Sequence, residues 1–434
     1  MSPSPVPPRR PGLVRAISRF DLTAAIVNAV IGSAIFGLPG QVAALSGTWS
    51  PLVVLLAGIF VLLIVLCFAE VASRFDEPGG PWLYTREAFG PVTGFHAGWL
   101  TFWVRTTAVA ANANVLVDYL GRLVPVVGVG AGRIATMAVL LGLITLLNIR
   151  GVRHATRAID ALTVLKLLPP LALVAVALPL FDRAVVATQV VATPDWPAAL
   201  LLLVYAYGGF EAPLMAAGEA RDPRRDTGFA LLVALGVIAV VYTLVQVALL
   251  GLVPHLGRSR TPIADAFSLL MGPQGAALAS VAAVLSIGAW SVGTVLQTPR
   301  LLFGMADRGE LPAPLASVHE RFRTPHVAIL AYAATALALA VAGSFAFNAT
   351  LSALTRLLTY GLTCAALPVL RRREDLPAGF HLRGAGVIVP LALVFCVALF
   401  LTRKPEEAAI LAGAILVGEV LRRVAARRPS GLTA

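Results

Sequence analysis

Asn28-Ala-Val-Ile-Gly-Ser-Ala-Ile-Phe-Gly-Leu-Pro39-Gly40 lies inside an apolar stretch long enough to cross a bilayer, yet glycine and proline interrupt it mid-span. Glycine weakens a helix by roughly 1 kcal/mol and proline by about 3. In hydrocarbon, unwound backbone is tolerated only where it is buried in protein or lines a cavity. A second stretch, Tyr205-Ala-Tyr-Gly-Gly-Phe-Glu211-Ala-Pro213, carries paired glycines near mid-span, then a carboxylate and a proline. Glycines in membrane helices often serve close packing, and either stretch alone reads equally well that way. Two interrupted spans five helices apart match inverted-repeat transporters, where half-helix ends face a substrate near the midplane. Free N–H groups there suit a carboxylate, and free carbonyls suit an ammonium or another cation.

Composition carries the same message outward. The 434 residues are 58% hydrophobic and 13% charged, with mean hydropathy +0.85. A soluble domain carries about 25% charged residues, so lipid must solvate much of this surface. The net charge of +12 punctuates apolar runs rather than forming a stripe, which argues against nucleic acid. Cys67, Cys364 and Cys396 each sit inside apolar runs and read as buried small hydrophobes. The six histidines fall at helix ends or loops and form no ligand cluster. No catalytic triad, phosphate loop or metal spacing is present, so the expectation is no enzyme, no cofactor and no metal.

Segments of about 20 apolar residues recur at 21–43, 51–73, 92–120, 129–149, 158–181, 197–219, 227–253, 275–303, 326–343, 347–370, 386–402 and 406–424. The basic start, with Arg9, Arg10, Arg15 and Arg19, leads into a run too long for a signal peptide, so it reads as a retained first span. The expectation is an all-α polytopic protein of one domain with about twelve transmembrane helices. Residues 74–91, 254–274 and 304–325 are its longest loops. With the N-terminus inside, 24 of the 34 basic residues fall on the inner side, 7 outside and 3 within spans. That asymmetry predicts cytoplasmic termini in the plasma membrane.

The three within spans are Arg105, Lys166 and Arg356. An ionisable residue at mid-bilayer costs at least about 2.5–3.5 kcal/mol and is a functional candidate by default. Lys166, in Leu162-Thr-Val-Leu-Lys166-Leu-Leu-Pro-Pro, is one of two lysines in the chain. An ammonium among apolar side chains can lose and regain a proton during a transport cycle; the alternatives are a fixed counter-charge or a snorkelling side chain. Glu211 can join a proton relay, accept N–H bonds from the unwound segment, or pair with a base. Glu70 and Glu219 sit near cytoplasmic helix ends, where gating ion pairs form. Asn112 and Asn114, two apart, point to different faces of one helix. Ser291 and Thr294 are pocket candidates, with hydroxyls bonding back to their own helix as the alternative. The lack of acidic pocket residues other than Glu211 leans toward a neutral substrate.

Four stretches resemble the amino acid–polyamine–organocation family of permeases: Gly32-Ser-Ala-Ile-Phe-Gly37, Pro78-Gly-Gly-Pro-Trp-Leu-Tyr-Thr-Arg-Glu-Ala-Phe-Gly90, Tyr207-Gly-Gly-Phe-Glu211 and Ala217-Gly-Glu-Ala-Arg-Asp-Pro-Arg-Arg225. The resemblance implies two inverted five-helix repeats, helices 1–5 over 21–181 and helices 6–10 over 197–370. Two extra helices over 386–424 follow, and 1–20 and 425–434 lie in the cytoplasm. It implies that Gly32, Ser33 and Ala34 receive a substrate carboxylate. The carbonyls of Val30 and Ile31, with the backbone from Tyr205 to Gly208, would face its ammonium, and Tyr205 or Tyr207 would form an aromatic lid. Ala34 departs from the glycine often found there. Lys166 takes the place of the sodium ion of related transporters and couples a proton to closure. The expected function is amino acid and proton symport by alternating access. Exchange of amino acids or amines on the same fold, and a non-transporting amino-acid sensor, are the rivals.

Overall fold

The computed structural model describes residues 18–75, 79–151, 166–214 and 222–427, and all regular structure among them is helical. Arg9, Arg10, Arg15, Pro78, Arg153, Arg157, Glu219, Arg221 and Arg428 lie outside the described residues.

Helix α1 (Arg19–Val30) begins with a reciprocal cap. The Ser18 hydroxyl accepts from the Asp21 N–H at 3.2 Å, and the Asp21 carboxylate accepts from the Ser18 N–H at 3.1 Å. The helix stops at Val30, and α2 (Ala34–Ser46) resumes after three residues. Gly47, at φ +55°, turns the chain into α3 (Ser50–Ala72). There follow α4 (Pro81–Phe89), α5 (Pro91–Leu123), α6 (Gly130–Arg150), α7 (Leu168–Ala177), the short α8 (Arg183–Ala187) and α9 (Trp196–Tyr207). The rest of the chain forms α10 (Pro223–Leu252), α11 (Pro262–Asp307), α12 (His326–Ala342), α13 (Phe345–Leu370), α14 (Ala385–Leu401) and α15 (Pro405–Ala426). Each of the twelve expected segments carries helix in its described part. Helices α6, α10, α11 and α13 are each long and apolar enough to cross a bilayer, whereas α14 and α15 meet at an angle of 111°.

Two stretches expected as loops are partly helical. Residues 74–91 contain α4, and residues 254–274 contain the start of α11. Pro81 and Pro262 each occupy a first helical turn, where proline needs no N–H partner. The bend in α11 falls at Gly272, at φ +66°, just before Pro273.

Burial separates helices facing protein from helices facing lipid. Helix α5 is buried along most of its length and carries Arg105, Asn112 and Asn114 inside. Helix α6 exposes Ile134, Val139, Leu143 and Leu147, and α14 exposes Val387, Leu391, Val394 and Leu401. Such apolar faces mark a membrane surface rather than a watery one.

One end of the bundle is closely packed. A Cβ on Gly40 of α2 would lie 2.4 Å from the Ser259 carbonyl oxygen, so residues 256–259 rest directly on that helix. Tyr119 donates to the Phe36 carbonyl at 2.9 Å, and Arg122 pairs with Asp265 at 2.6 Å. At the opposite end Glu70 is fully buried. It pairs with Arg74 at 2.7 Å and with Arg371 at 2.5 Å, and accepts the Leu382 N–H at 2.8 Å. One carboxylate thus ties α3, the end of α13 and the segment leading to α14. Removing one partner of a buried pair costs about 3–5 kcal/mol, and the partial exposure of Arg371 places Glu70→Ala at the lower end. Thermal unfolding in detergent should show a clear drop in Tm, and an unchanged Tm would show that the cluster adds nothing.

Candidate substrate site

The last turn of α1 presents three carbonyls toward the break, and each is met by a different part of the fold. Lys166, just before α7, donates to the Asn28 carbonyl and to its side-chain oxygen. Trp290 of α11 donates its indole N–H to the Ala29 carbonyl at 3.0 Å. Tyr242 of α10 donates to the Val30 carbonyl at 3.4 Å. A helix C-terminus carries about half a negative elementary charge, so an ammonium belongs there. Lys166 thus meets α1 one turn before Gly32. The Val30 carbonyl, expected to face a ligand ammonium, meets the Tyr242 hydroxyl instead. Across the gap α2 begins, and a helix start leaves about four N–H groups without intrahelical partners.

The second break faces the first. Helix α9 ends at Tyr207, Gly208 is extended, and Gly209 has φ +113°. A Cβ on Gly209 would lie 2.8 Å from the Ala29 carbonyl oxygen and 3.4 Å from the Val30 Cα, so the second unwound stretch rests on the last turn of α1, beside the first break. Glu211 turns back on this segment. It accepts the Gly209 N–H and the Tyr360 hydroxyl, both at 2.9 Å, and lies 3.5 Å from Arg356 Nη1. Of the roles open to Glu211 in sequence, this geometry displays two: holding the unwound backbone and pairing with a base.

Ser33, Asn112 and Tyr205 converge beside the first break. The Ser33 hydroxyl bonds the Asn112 side-chain oxygen and lies 3.0 Å from the Tyr205 oxygen. Tyr205 donates to the same Asn112 oxygen at 3.0 Å. Asn112 Nδ2 is buried with no hydrogen-bond partner among the described residues. Tyr207 points elsewhere, donating to the Val54 carbonyl of α3 at 2.9 Å, because two residues along a helix turn the side chain to the far face. Of the two tyrosines considered as a lid, Tyr205 is the one beside Ser33. Asn114 likewise turns away, to the Ala340 and Gly343 carbonyls. The Ser291 hydroxyl bonds back to the Ile287 carbonyl at 2.8 Å, whereas Thr294 reaches the cavity wall.

Several contacting residues were not foreseen. Trp290 stands four residues before Thr294 and therefore on the same helix face, a signal available in sequence. A Cβ on Gly32 would lie 3.3 Å from its indole nitrogen. Asn28 and Tyr242 carry no comparable signal, since only the fold brings Lys166 and α10 to the end of α1.

Below the breaks lies a cavity of about 1190 Å³. Asn28, Arg105, Lys166, Glu211, Trp290, Thr294, Gln297 and Arg356 line it, and it reaches Asp21, Arg300 and Arg308 near the end that carries the start of α1. At that mouth the Trp82 ring lies 4.4 Å from the Arg308 guanidinium and 5.2 Å from that of Arg86. Glu310 nearby has its carboxyl pushed up by burial, with Arg308 and Arg86 pulling it back. The volume exceeds the roughly 300–1,000 Å³ of a small-molecule pocket, so it has room for a small solute and its water-filled entry path. No cluster of three metal-ligating side chains occurs among the described residues.

A lipid-faced helical bundle with two helix breaks at the head of a cavity that bears charged side chains suits a membrane permease. The sequence model described as amino acid permease matches residues 17–412, and the chain belongs to that family, within the amino acid–polyamine–organocation superfamily. The serine/threonine exchanger SteT of Bacillus subtilis is 28% identical over 75% of this chain and 76% of its own length. The branched-chain amino acid permease BcaP of the same species is 27% identical over 90% and 88%. The polyamine transporter PUT1 of rice, Oryza sativa subsp. japonica, is 29% identical over 95% and 78%. The family is one of transporters rather than enzymes, so the chain is a multi-pass membrane transport protein. Relatives named for transport leave the sensor alternative without support.

Proposed function

We propose that this permease carries an amino acid together with a proton across the plasma membrane by alternating access. Twelve spans make up the transporter domain over 21–424, with repeats over 21–181 and 197–370, extra helices over 386–424, and both terminal segments cytoplasmic. The observation that supports this best is the contact between Gly209 and the Ala29–Val30 backbone at the head of the cavity. Main-chain groups that lipid cannot solvate face one hollow there. The substrate carboxylate binds the N–H groups of Gly32, Ser33 and Ala34. Its ammonium faces the Ile31 carbonyl and the backbone from Tyr205 to Gly208, with Val30 contributing once Tyr242 shifts. Asn112 offers its spare amide N–H, Tyr205 covers the site, and Thr294 with Trp290 forms the opposite wall. Tyr207 and Ser291 shape the site through packing. Lys166, bonded to α1 in the protonated form, ties a proton to that helix, and Glu211 holds the second break. The cavity reaches the end where α1 starts and the other end is closely packed, an arrangement suited to an inward-open state.

Exchange is the rival, and the name of the SteT relative speaks for it. Lys166 favours symport, because a pure exchanger needs no titrating cation. Proteoliposomes decide between them. Symport predicts that an inward proton gradient accelerates uptake of a labelled amino acid into empty vesicles. Uptake that appears only with amino acid preloaded inside, whatever the gradient, would replace symport by exchange.

A further inference from the structure

Among the described residues the cavity is lined by five cationic side chains, Arg105, Lys166, Arg300, Arg308 and Arg356, and by two carboxylates, Asp21 toward the mouth and Glu211 beside the second break. Glu211 already serves the Gly209 N–H, the Tyr360 hydroxyl and Arg356. Lys166 is met by the neutral oxygens of Asn28. Arg105 Nη1 lies 3.5 Å from the Gln297 side-chain oxygen. Arg356 is only 4% exposed, lines the cavity, and its Nε has no hydrogen-bond partner among the described residues. The Ser286 hydroxyl on the cavity wall is also buried without a partner there.

Buried cations are costly unless a counter-charge compensates them. A guanidinium is also the group whose planar fork matches a carboxylate. Arg356 is placed to use it, since a Cβ on Gly208 would lie 1.5 Å from its Nη1. The guanidinium therefore sits on the second break itself, within side-chain reach of a solute gripped there by its α-groups. A cationic solute would meet like charge on the same wall, and such repulsion excludes wrong partners.

We propose that the transported amino acid carries a second acidic group in its side chain, with Arg356 as the residue that selects it. This holds only if the chain is the amino-acid permease proposed above. It replaces the lean toward a neutral substrate, which weighed acidic pocket residues without knowing where Arg105 and Arg356 lie.

Uptake by the full-length protein in liposomes tests it with six labelled solutes: L-aspartate, L-glutamate, L-serine, L-leucine, L-lysine and putrescine. The acidic pair should be carried, with apparent affinity at least about tenfold above L-lysine and putrescine. Arg356→Gln should lower the acidic-to-neutral affinity ratio at least about tenfold, and Arg356→Lys should recover part of it. Glu211→Gln should keep or raise that ratio, because it removes the carboxylate that competes with substrate for Arg356. A role for Arg356 confined to pairing Glu211 would instead depress both solute classes alike in both variants, leaving the ratio unchanged, and would overturn the proposal. Uptake of neutral or basic solutes without the acidic pair would overturn it and leave the permease function standing. No uptake of any of the six would overturn both.

Discussion

Lys166→Ala is expected to abolish proton-driven uptake while the protein still inserts and binds its substrate. The ammonium joins the start of α7 to the final turn of α1, one turn before the break. Its removal takes away the only lysine in the described cavity wall and the bond that couples its charge to α1. The Asn28 carbonyl then loses a donor, a local cost of about 1–3 kcal/mol. The cost of burying an ammonium disappears with it, and that offset keeps the variant folded. Lys166→Arg separates charge from titration. Arginine keeps the cation but does not release its proton, so this variant should bind substrate and still fail to respond to a proton gradient. Initial uptake rates at imposed gradients give the readout. Full pH dependence in Lys166→Ala, or a strict need for sodium in the wild type, would remove Lys166 from the coupling role.

Gly209→Ala should cost transport at least about tenfold, for two independent reasons. At φ +113° an L side chain is strained by about 1–3 kcal/mol. The new Cβ would also stand 2.8 Å from the Ala29 carbonyl oxygen, a backbone atom that no rotamer change can move aside. The second break would be forced away from the end of α1, separating the groups proposed to hold the two ends of an amino acid. Gly288→Ala is the control, because a Cβ there meets nothing within 4 Å. It should transport at the wild-type rate. Equal transport by both variants would mean that the contact of Gly209 with the end of α1 does not matter for function.

The breaks were legible because glycine acts on the backbone locally, and Gly32 and Gly208–Gly209 interrupt otherwise apolar runs, whereas Pro39, also read as an interruption, lies inside α2. The opposed directions of Asn112 and Asn114 followed from helical periodicity alone. The same periodicity separates Tyr205 from Tyr207, but which of the two meets Ser33 depends on how α9 is rotated against α2 and α3. The partners of Arg356 and Glu70 were beyond reach for a similar reason. Glu211 and Arg371 are far off in sequence, and only packing decides which base meets which carboxylate. The helices inside the expected loops 74–91 and 254–274 escaped notice because they lie outside the long apolar runs, although Pro81 and Pro262 stand where a first helical turn favours proline.

The account stands or falls on where a bound amino acid lies. A cryo-EM structure of the full-length protein with its transported amino acid should show density between residues 32–34 and residues 208–209. The substrate carboxylate should lie about 3 Å from the N–H groups at the start of α2. Density away from both breaks, or the two helices continuous through them with substrate bound, would contradict it.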